Sequence, residues 1–343
     1  MDPTVRELPK AEEEIALPDI RFLTQDELDS LRANAEALKK SSINQSVIFR
    51  TPWNAFPDVA VQTTVGKLKS HPDYDAAKAG DQDAALRVID RVFKPGKVTD
   101  SCDLIVPVLQ LDQGKQNMLA VAYALRLSRE LGAEVFLGIS QSNQVSHTGA
   151  DAITRILGQP TFLGDIPEGR RVVIVDDVAT FGSTLANLRG WIEHQGAHVI
   201  RATTLGATFG GTKLAQPKEA LEKLLSKFPE VQTLADNLGF TPDCFTARET
   251  HFLVQVPSRE RMQALVAASH KVRPLLNPIG EYDHLMEQRL KDGLSITDAR
   301  KELEAKEPEL VLARDNQVVI QRRSRLLTER QANTQHQKRG RGL

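Results

Sequence analysis

Cysteine is nearly absent from this chain, with 2 in 343 residues, Cys102 and Cys244. They lie far apart without CxxC spacing, which argues against a disulfide scaffold and a cysteine zinc site and predicts two reduced thiols. An excess of charge is missing too, because 44 Lys+Arg stand against 45 Asp+Glu for a formal net charge of −1. No global field therefore points to nucleic acid or a membrane surface. No stretch approaches the ~18 consecutive apolar residues of a membrane span. The acidic opening MDPTVRELPKAEEE lacks the apolar run of a signal peptide. Together these absences predict a cytoplasmic protein with no membrane partner. No internal repeat is visible.

What is present is ordinary globular material, 41% hydrophobic and 26% charged, long enough for roughly two domains. Residues 1–97 read as a polar arm, a helix introduced by the capping-box pattern Thr24-Gln-Asp-Glu27, a loop-rich passage and two short helices. That passage, FRTPWNAFPDVAVQTTVG, sets Phe49, Trp53 and Phe56 among prolines, either as packing or as a hood over a cleft. Residues 98–210 change character: strand candidates at 103–108, 134–139, 170–177 and 198–207 alternate with helix candidates at 118–131 and 183–196. Strand–helix alternation, with strands lacking polar alternation, predicts a parallel sheet covered by helices. Residues 211–320 read as mainly helical with one strand-like run, HFLVQV (251–256). The tail 321–343 carries seven Lys/Arg against one Glu, and reads either as a solvated end or as a patch for nucleic acid or an acidic partner.

The central motif is VVIVDDVATFGSTL (172–185). In open parallel sheets ligands bind beyond the carboxyl ends of strands, and Asp176 and Asp177 fall at such an end. Each carboxylate accepts several hydrogen bonds, so the pair suits the cis-diol of a ribose. The following turn, Ala179-Thr180-Phe181-Gly182-Ser183-Thr184, leads into a helix. Its backbone N–H groups and hydroxyls form an anion nest, with Gly182 permitting close approach. An isolated Asp-Asp pair would be no more than turn and cap residues. A diol binder beside a phosphate binder describes a sugar 5-phosphate. The GK[ST] ending of a Walker loop is absent.

The same residues resemble the phosphoribosyl pyrophosphate (PRPP) signature of type I phosphoribosyltransferases: apolar strand, two acidic residues, T-x-G-x-T loop. The resemblance is tight over some 14 residues, and the α/β order from about 98 to 210 agrees with that fold. It implies a type I phosphoribosyltransferase-like α/β core, a parallel sheet flanked by helices, with helical N-terminal and C-terminal additions. Asp176 and Asp177 would hold the ribose hydroxyls and touch Mg2+ indirectly, while Ala179, Thr180, Phe181, Gly182, Ser183 and Thr184 would wrap the 5-phosphate. Phe181 departs from the commoner Thr. A second loop, LQLDQGKQN (109–117), stands where the family binds pyrophosphate, with Gln110, Gly114 and Lys115 as its groups and Asn117 as a cap; alternatively it is a polar turn. A third, 141–169, corresponds to the family's flexible closing loop, with Ser146, His147, Thr148 and Arg155 as candidates. A structureless passage that long is usually functional or mobile.

By that resemblance the chain transfers ribose 5-phosphate from PRPP, with Mg2+, to a nitrogen acceptor and releases pyrophosphate, and it assembles as a homo-oligomer. Thr180 stands where the 6-oxopurine members carry an aspartate, which disfavours hypoxanthine/guanine salvage. Trp53, Phe56 or Phe245 would either stack on the acceptor or pack in a core. The competing reading is a non-catalytic PRPP-fold regulator that reaches nucleic acid through its basic tail.

Overall fold

In a computed structural model, the structure describes residues 48–110, 117–143, 152–273 and 278–308, together with residues 24, 26, 29, 30, 33, 310, 311 and 314. The described chain begins its regular structure with β1 (Ala60–Thr64), α1 (Val65–Lys69), α2 (Tyr74–Lys78) and α3 (Gln82–Val92). The α/β alternation follows as β2 (Leu104–Pro107), α4 (Leu119–Leu131), β3 (Glu134–Val135), β4 (Ser140–Gln141), α5 (Ala152–Leu157) and β5 (Phe162–Leu163). It continues through β6 (Arg171–Ala179), α6 (Ser183–His194) and β7 (His198–Ala207). The C-terminal region adds α7 (Lys218–Lys227), α8 (Val231–Leu238), a 3-10 turn (Pro242–Cys244), α9 (Ala247–Val254), α10 (Arg259–His270), α11 (Pro278–Lys291) and α12 (Ile296–Lys306).

Five strands form one parallel sheet in the order β1-β7-β6-β2-β3, so β6 is central. This is the expected α/β fold, a parallel sheet flanked by helices, and it is consistent with a type I phosphoribosyltransferase-like core. Successive side chains of a strand point to opposite faces, and the apolar run of β6 serves both. Val173 and Val175 join Ile105, Ala84, Val88, Leu119, Tyr123 and Leu127 in the layer covered by α1 to α4. Val172 and Ile174 join Leu104, Val106, Leu185, Leu188 and Ile192 in the layer covered by α6. A strand sandwiched in this way has no room for polar alternation, which explains its sequence.

Several expectations need correction. The edge strand β1 lies in the passage read as loop, where AVQTT offers only one fully buried position. The strand read over 134–139 pairs only at Glu134 and Val135. The run HFLVQV is not a strand: its first four residues complete α9, which opens with a capping box between Thr246 and Glu249. The loop 141–169 is not structureless where described, because β4 and β5 form an antiparallel pair and α5 lies between them.

The C-terminal helices build a separate apolar core from Leu224, Phe228, Val231, Leu234, Phe245, Leu253 and Met262, joined by Ile48 and Ile156. The segment that precedes β1 is clamped between this core and α6. At Gly190 of α6 a Cβ would stand 1.7 Å from the Phe49 carbonyl oxygen and 2.7 Å from the Arg50 Cα. Backbone atoms cannot swing aside as a side-chain tip can, so the contact requires glycine. Gly190→Ala is therefore expected to destabilise the protein by about 2–3 kcal/mol, at the upper end of overpacking costs. Urea denaturation measures it, and a cost below about 0.5 kcal/mol would contradict this packing.

Candidate functional site

The site is built where β6 ends and α6 begins. β6 runs on through Ala179, so Asp176 and Asp177 lie in its final residues and not beyond its end. Both are buried, at 8% and 7% exposure. The Asp177 N–H donates to Asp176 Oδ1 at 2.8 Å, and the Val178 N–H donates to Asp177 Oδ1 at 2.8 Å. Burial, and then the charge of Asp177, push the Asp176 carboxyl well above its ordinary pKa. A carboxyl whose folded pKa is raised contributes stability only while it is protonated, below its unfolded value. That contribution is lost as pH rises through the folded pKa.

Gly182 is the N-cap of α6, in the left-handed region at φ 80°. A Cβ there would clash only with the Leu214 Cδ2 side-chain tip, at 2.4 Å, so it is the positive φ that calls for glycine. The N-terminus of α6 follows directly, with its unpaired N–H groups and positive end of the helix dipole. Thr180 and Thr184 are half-buried beside it. Ala179 is buried, and its carbonyl accepts from the Thr208 N–H at 2.9 Å, tying the turn after β7 to this corner.

Ser183 departs from its expected role. Its hydroxyl is buried and donates to Glu249 Oε1 at 2.6 Å, so it is committed to the protein and not directed at a phosphate. Phe181 is accounted for by packing. Its ring joins the C-terminal helical core and lies 6.2 Å from the Phe252 ring. Its carbonyl accepts from Thr246 Oγ1 at 2.6 Å. The departure from Thr thus anchors the turn to α9.

The sequence reading missed the groups that hold this turn. Arg50 makes a paired contact with Glu249 at 2.7 and 3.0 Å, both side chains almost wholly buried. Arg50 also donates to Asn187 Oδ1 of α6 at 2.6 Å, to Gln159 Oε1 at 2.8 Å and to the Cys244 carbonyl at 3.2 Å. Burial alone would raise the Glu249 pKa. The Arg50 charge and hydrogen bonds from Arg50, Ser183 and the Thr246 N–H outweigh it and hold the carboxylate below its ordinary value. The other group missed is Lys78, whose ammonium lies 2.6 Å from Asp177 Oδ2. A Ser/Thr-x-x-Glu search would have found Thr246 and Glu249; Arg50 and Lys78 have no local signal.

The remaining candidates are dispersed. Gln110 forms a parallel bridge with Gln141 of β4, and Asn117 Oδ1 accepts from the Leu119 N–H at 3.2 Å from the position before Met118, the N-cap of α4. The Arg155 guanidinium lies 5.9 Å from the Phe181 ring centroid, which brings this residue of α5 to the turn. Gly114, Lys115, Ser146, His147, Thr148 and the basic tail lie outside the described residues. Trp53 and Phe245 are buried in cores, and Trp53 Nε1 donates to the Phe245 carbonyl at 2.8 Å, so neither is free to stack on a ligand. Phe209, in contrast, is 93% exposed in the turn after β7, two residues past the strand.

Among the described residues, no cluster of three or more His, Cys, Asp or Glu side chains could hold a metal ion. Two carboxylates suit Mg2+, which keeps waters and draws its other ligands from substrate phosphates. No described helix is long and apolar enough to cross a membrane.

No family model matches the chain. Over 229 residues it is 33% identical to Protein TraN of Escherichia coli, a match covering 64% of this chain and 51% of that protein. It is 34% identical over 170 residues to an uncharacterized protein of Haemophilus influenzae, covering 46% and 38% respectively. The chain therefore spans about half the length, or less, of these curated relatives. Among solved structures, it is similar to adenine phosphoribosyltransferase from Thermoanaerobacter pseudethanolicus, at 15% identity and a TM-score of 0.23, covering 37% of this chain and 79% of that one. UMP synthase of Leishmania donovani matches at 14% identity and a TM-score of 0.21, covering 70% and 43%. An allosteric regulatory enzyme of purine biosynthesis matches at 16% and 0.24, covering 43% and 30%.

The Glu249 contacts generate a pH-dependent prediction. A carboxylate with a lowered folded pKa stabilises above its unfolded pKa and loses that contribution as pH falls through the folded value. Glu249→Gln leaves Arg50 buried without its counter-charge, and the expected loss at pH 7 is about 3 kcal/mol. The gap between variant and wild type should narrow as pH falls below about 4, near the ordinary glutamate value. Denaturant melts across pH 3–8 test this, and a pH-independent gap would contradict it.

Proposed function

We propose that the chain is a phosphoribosyltransferase that binds PRPP with Mg2+ and transfers ribose 5-phosphate to a nitrogen acceptor. The observation that carries the reading is the order of groups at the central strand: two buried carboxylates, then a glycine-led turn, then a helix N-terminus. Ribose hydroxyls would donate to Asp176 and Asp177, while the 5-phosphate would take the N–H groups of the turn and of α6. In the reaction the bond between ribose C1 and the pyrophosphate oxygen breaks, and pyrophosphate leaves with the electron pair. The acceptor nitrogen forms the new bond to C1 and gives up its proton to the medium. Bound Mg2+ would neutralise the leaving pyrophosphate.

This chain's residues would orient the sugar and screen it. Asp176 and Asp177 fix the ring from its hydroxyls, and neither acts as a nucleophile. Arg155 of α5 lies 5.9 Å from the Phe181 ring centroid of the turn and would add positive charge near the phosphate end of a bound ligand. Exposed Phe209, beside the same corner, offers a flat apolar face to a planar acceptor. The exchange of charge for charge within a held geometry is the source of rate, since orientation and preorganised dipoles supply most of such acceleration.

Calorimetry with PRPP and Mg2+ tests the assignment. Asp176→Asn combined with Asp177→Asn should weaken binding at least about 100-fold, as expected for two lost charge-assisted contacts, while the thermal unfolding midpoint holds or rises. Undiminished binding would overturn the site. Pyrophosphate release with a panel of nitrogen bases then separates enzyme from regulator. Tight PRPP binding without release from any acceptor identifies the regulator.

A further inference from the structure

Both oxygens of Asp177 are already occupied from within the protein. Oδ1 accepts the Val178 N–H, and Oδ2 pairs with the Lys78 ammonium at 2.6 Å. The two partners differ in kind. The Val178 N–H belongs to the central strand and cannot leave without disrupting it. Lys78 sits on a flexible four-carbon stem, its side chain about one-third exposed (35%) against 10% for Asp177, so its contact is the exchangeable one.

Lys78 is also well placed to serve a ligand after it lets go. It is the last residue of α2, and the preceding residue, Ala77, is wholly buried and accepts the Met118 N–H at 3.1 Å. This bond pins the end of α2 to the point where the 109–117 loop runs into α4. Tyr74, one turn earlier on the same face, is buried. It packs in the apolar layer beneath the sheet with Ala77 and so fixes the end of α2. Burial works against the charge on Lys78, but the attraction of Asp177 and their hydrogen bond prevail and keep its pKa above the ordinary value.

We propose that Lys78 is a resident counter-ion of the acidic pair, which a ligand must displace, and that the displaced ammonium then grips an anionic group of that same ligand. The proposal rests on the phosphoribosyl reading of Asp177 and adds a specificity device to it. A bare divalent cation must compete with Lys78 and gains nothing in return. A neutral diol must also compete, and offers the released ammonium no anion. A ligand carrying both hydroxyls or a chelated cation and a phosphate group within reach exchanges one ion pair for another. Lys78 would thus select phosphorylated, metal-chelating sugars over their separate halves.

Two titrations of opposite sign test it, using the full chain, Lys78→Met and Lys78→Arg. Mn2+ alone, followed by paramagnetic resonance, should bind Lys78→Met about tenfold more tightly than wild type. PRPP with Mg2+, followed by calorimetry, should bind the same variant about tenfold more weakly, the effect of one close charge pair. Lys78→Arg should move both values back towards wild type. A merely structural lysine would weaken both ligands together, and that result would overturn the proposal, as would unchanged Mn2+ affinity in a folded Lys78→Met. PRPP affinity that rises in Lys78→Met would also overturn it, because the lysine would then be a competitor alone. If the wild type binds no PRPP while Lys78→Met tightens Mn2+, the phosphoribosyl reading and the ligand-gripping half of the proposal both fall. The counter-ion half alone then stands.

Discussion

The buried pair between Arg50 and Glu249 is the constraint on which the site depends. Arg50 enters from the segment before the sheet, and its guanidinium reaches α6, the 159 segment and α9 at once. Glu249 returns that charge and uses its remaining capacity on Ser183 and on the Thr246 N–H. Thr246 in turn holds the Phe181 carbonyl. The turn that would receive a phosphate is thereby fixed by protein groups through the Phe181 carbonyl and the Ser183 hydroxyl. An ion pair of this kind is weak evidence for stability, because desolvation offsets its attraction. Its value lies in geometry: it permits one arrangement of four separate segments.

That arrangement gives the C-terminal helices a role beyond building their own core. Their apolar core includes Phe181 at its margin, so helix packing and turn geometry are one problem. A Thr at that position would have given one more hydroxyl to an anion. The phenyl ring gives instead an anchor in the helical core, and on the proposed reading an anion would be left to backbone N–H groups and the helix end. The same economy applies to Ser183, whose hydroxyl serves Glu249.

The parts of this architecture that were legible in the sequence are those written locally. Val172 to Val175 are buried on both faces and so lack alternation, and Gly182 stands at a left-handed N-cap. These two features reveal the strand, the turn and the helix together. β1 was not legible because an edge strand needs few apolar residues, and AVQTT buries only one position fully. HFLVQV misled because its β-branched and aromatic residues suit a strand as well as a buried helix; the capping box before it decides the matter. Lys78 and Asp177 are 99 residues apart, and Arg50 and Glu249 are 199 apart. Pairings at that separation are products of tertiary packing, and no local pattern encodes them.

The central claim is that one corner of the sheet recognises a ribose and a phosphate jointly. Its most direct test is a calorimetric comparison of three ligands on the unaltered protein: ribose 5-phosphate, 2-deoxyribose 5-phosphate and ribose. The account predicts measurable binding of ribose 5-phosphate, a loss of about tenfold or more when the 2-hydroxyl is removed, and a larger loss when the phosphate is removed. Equal affinity for ribose 5-phosphate and its 2-deoxy form would contradict the role given to Asp176 and Asp177, and binding of none of the three would contradict the site itself.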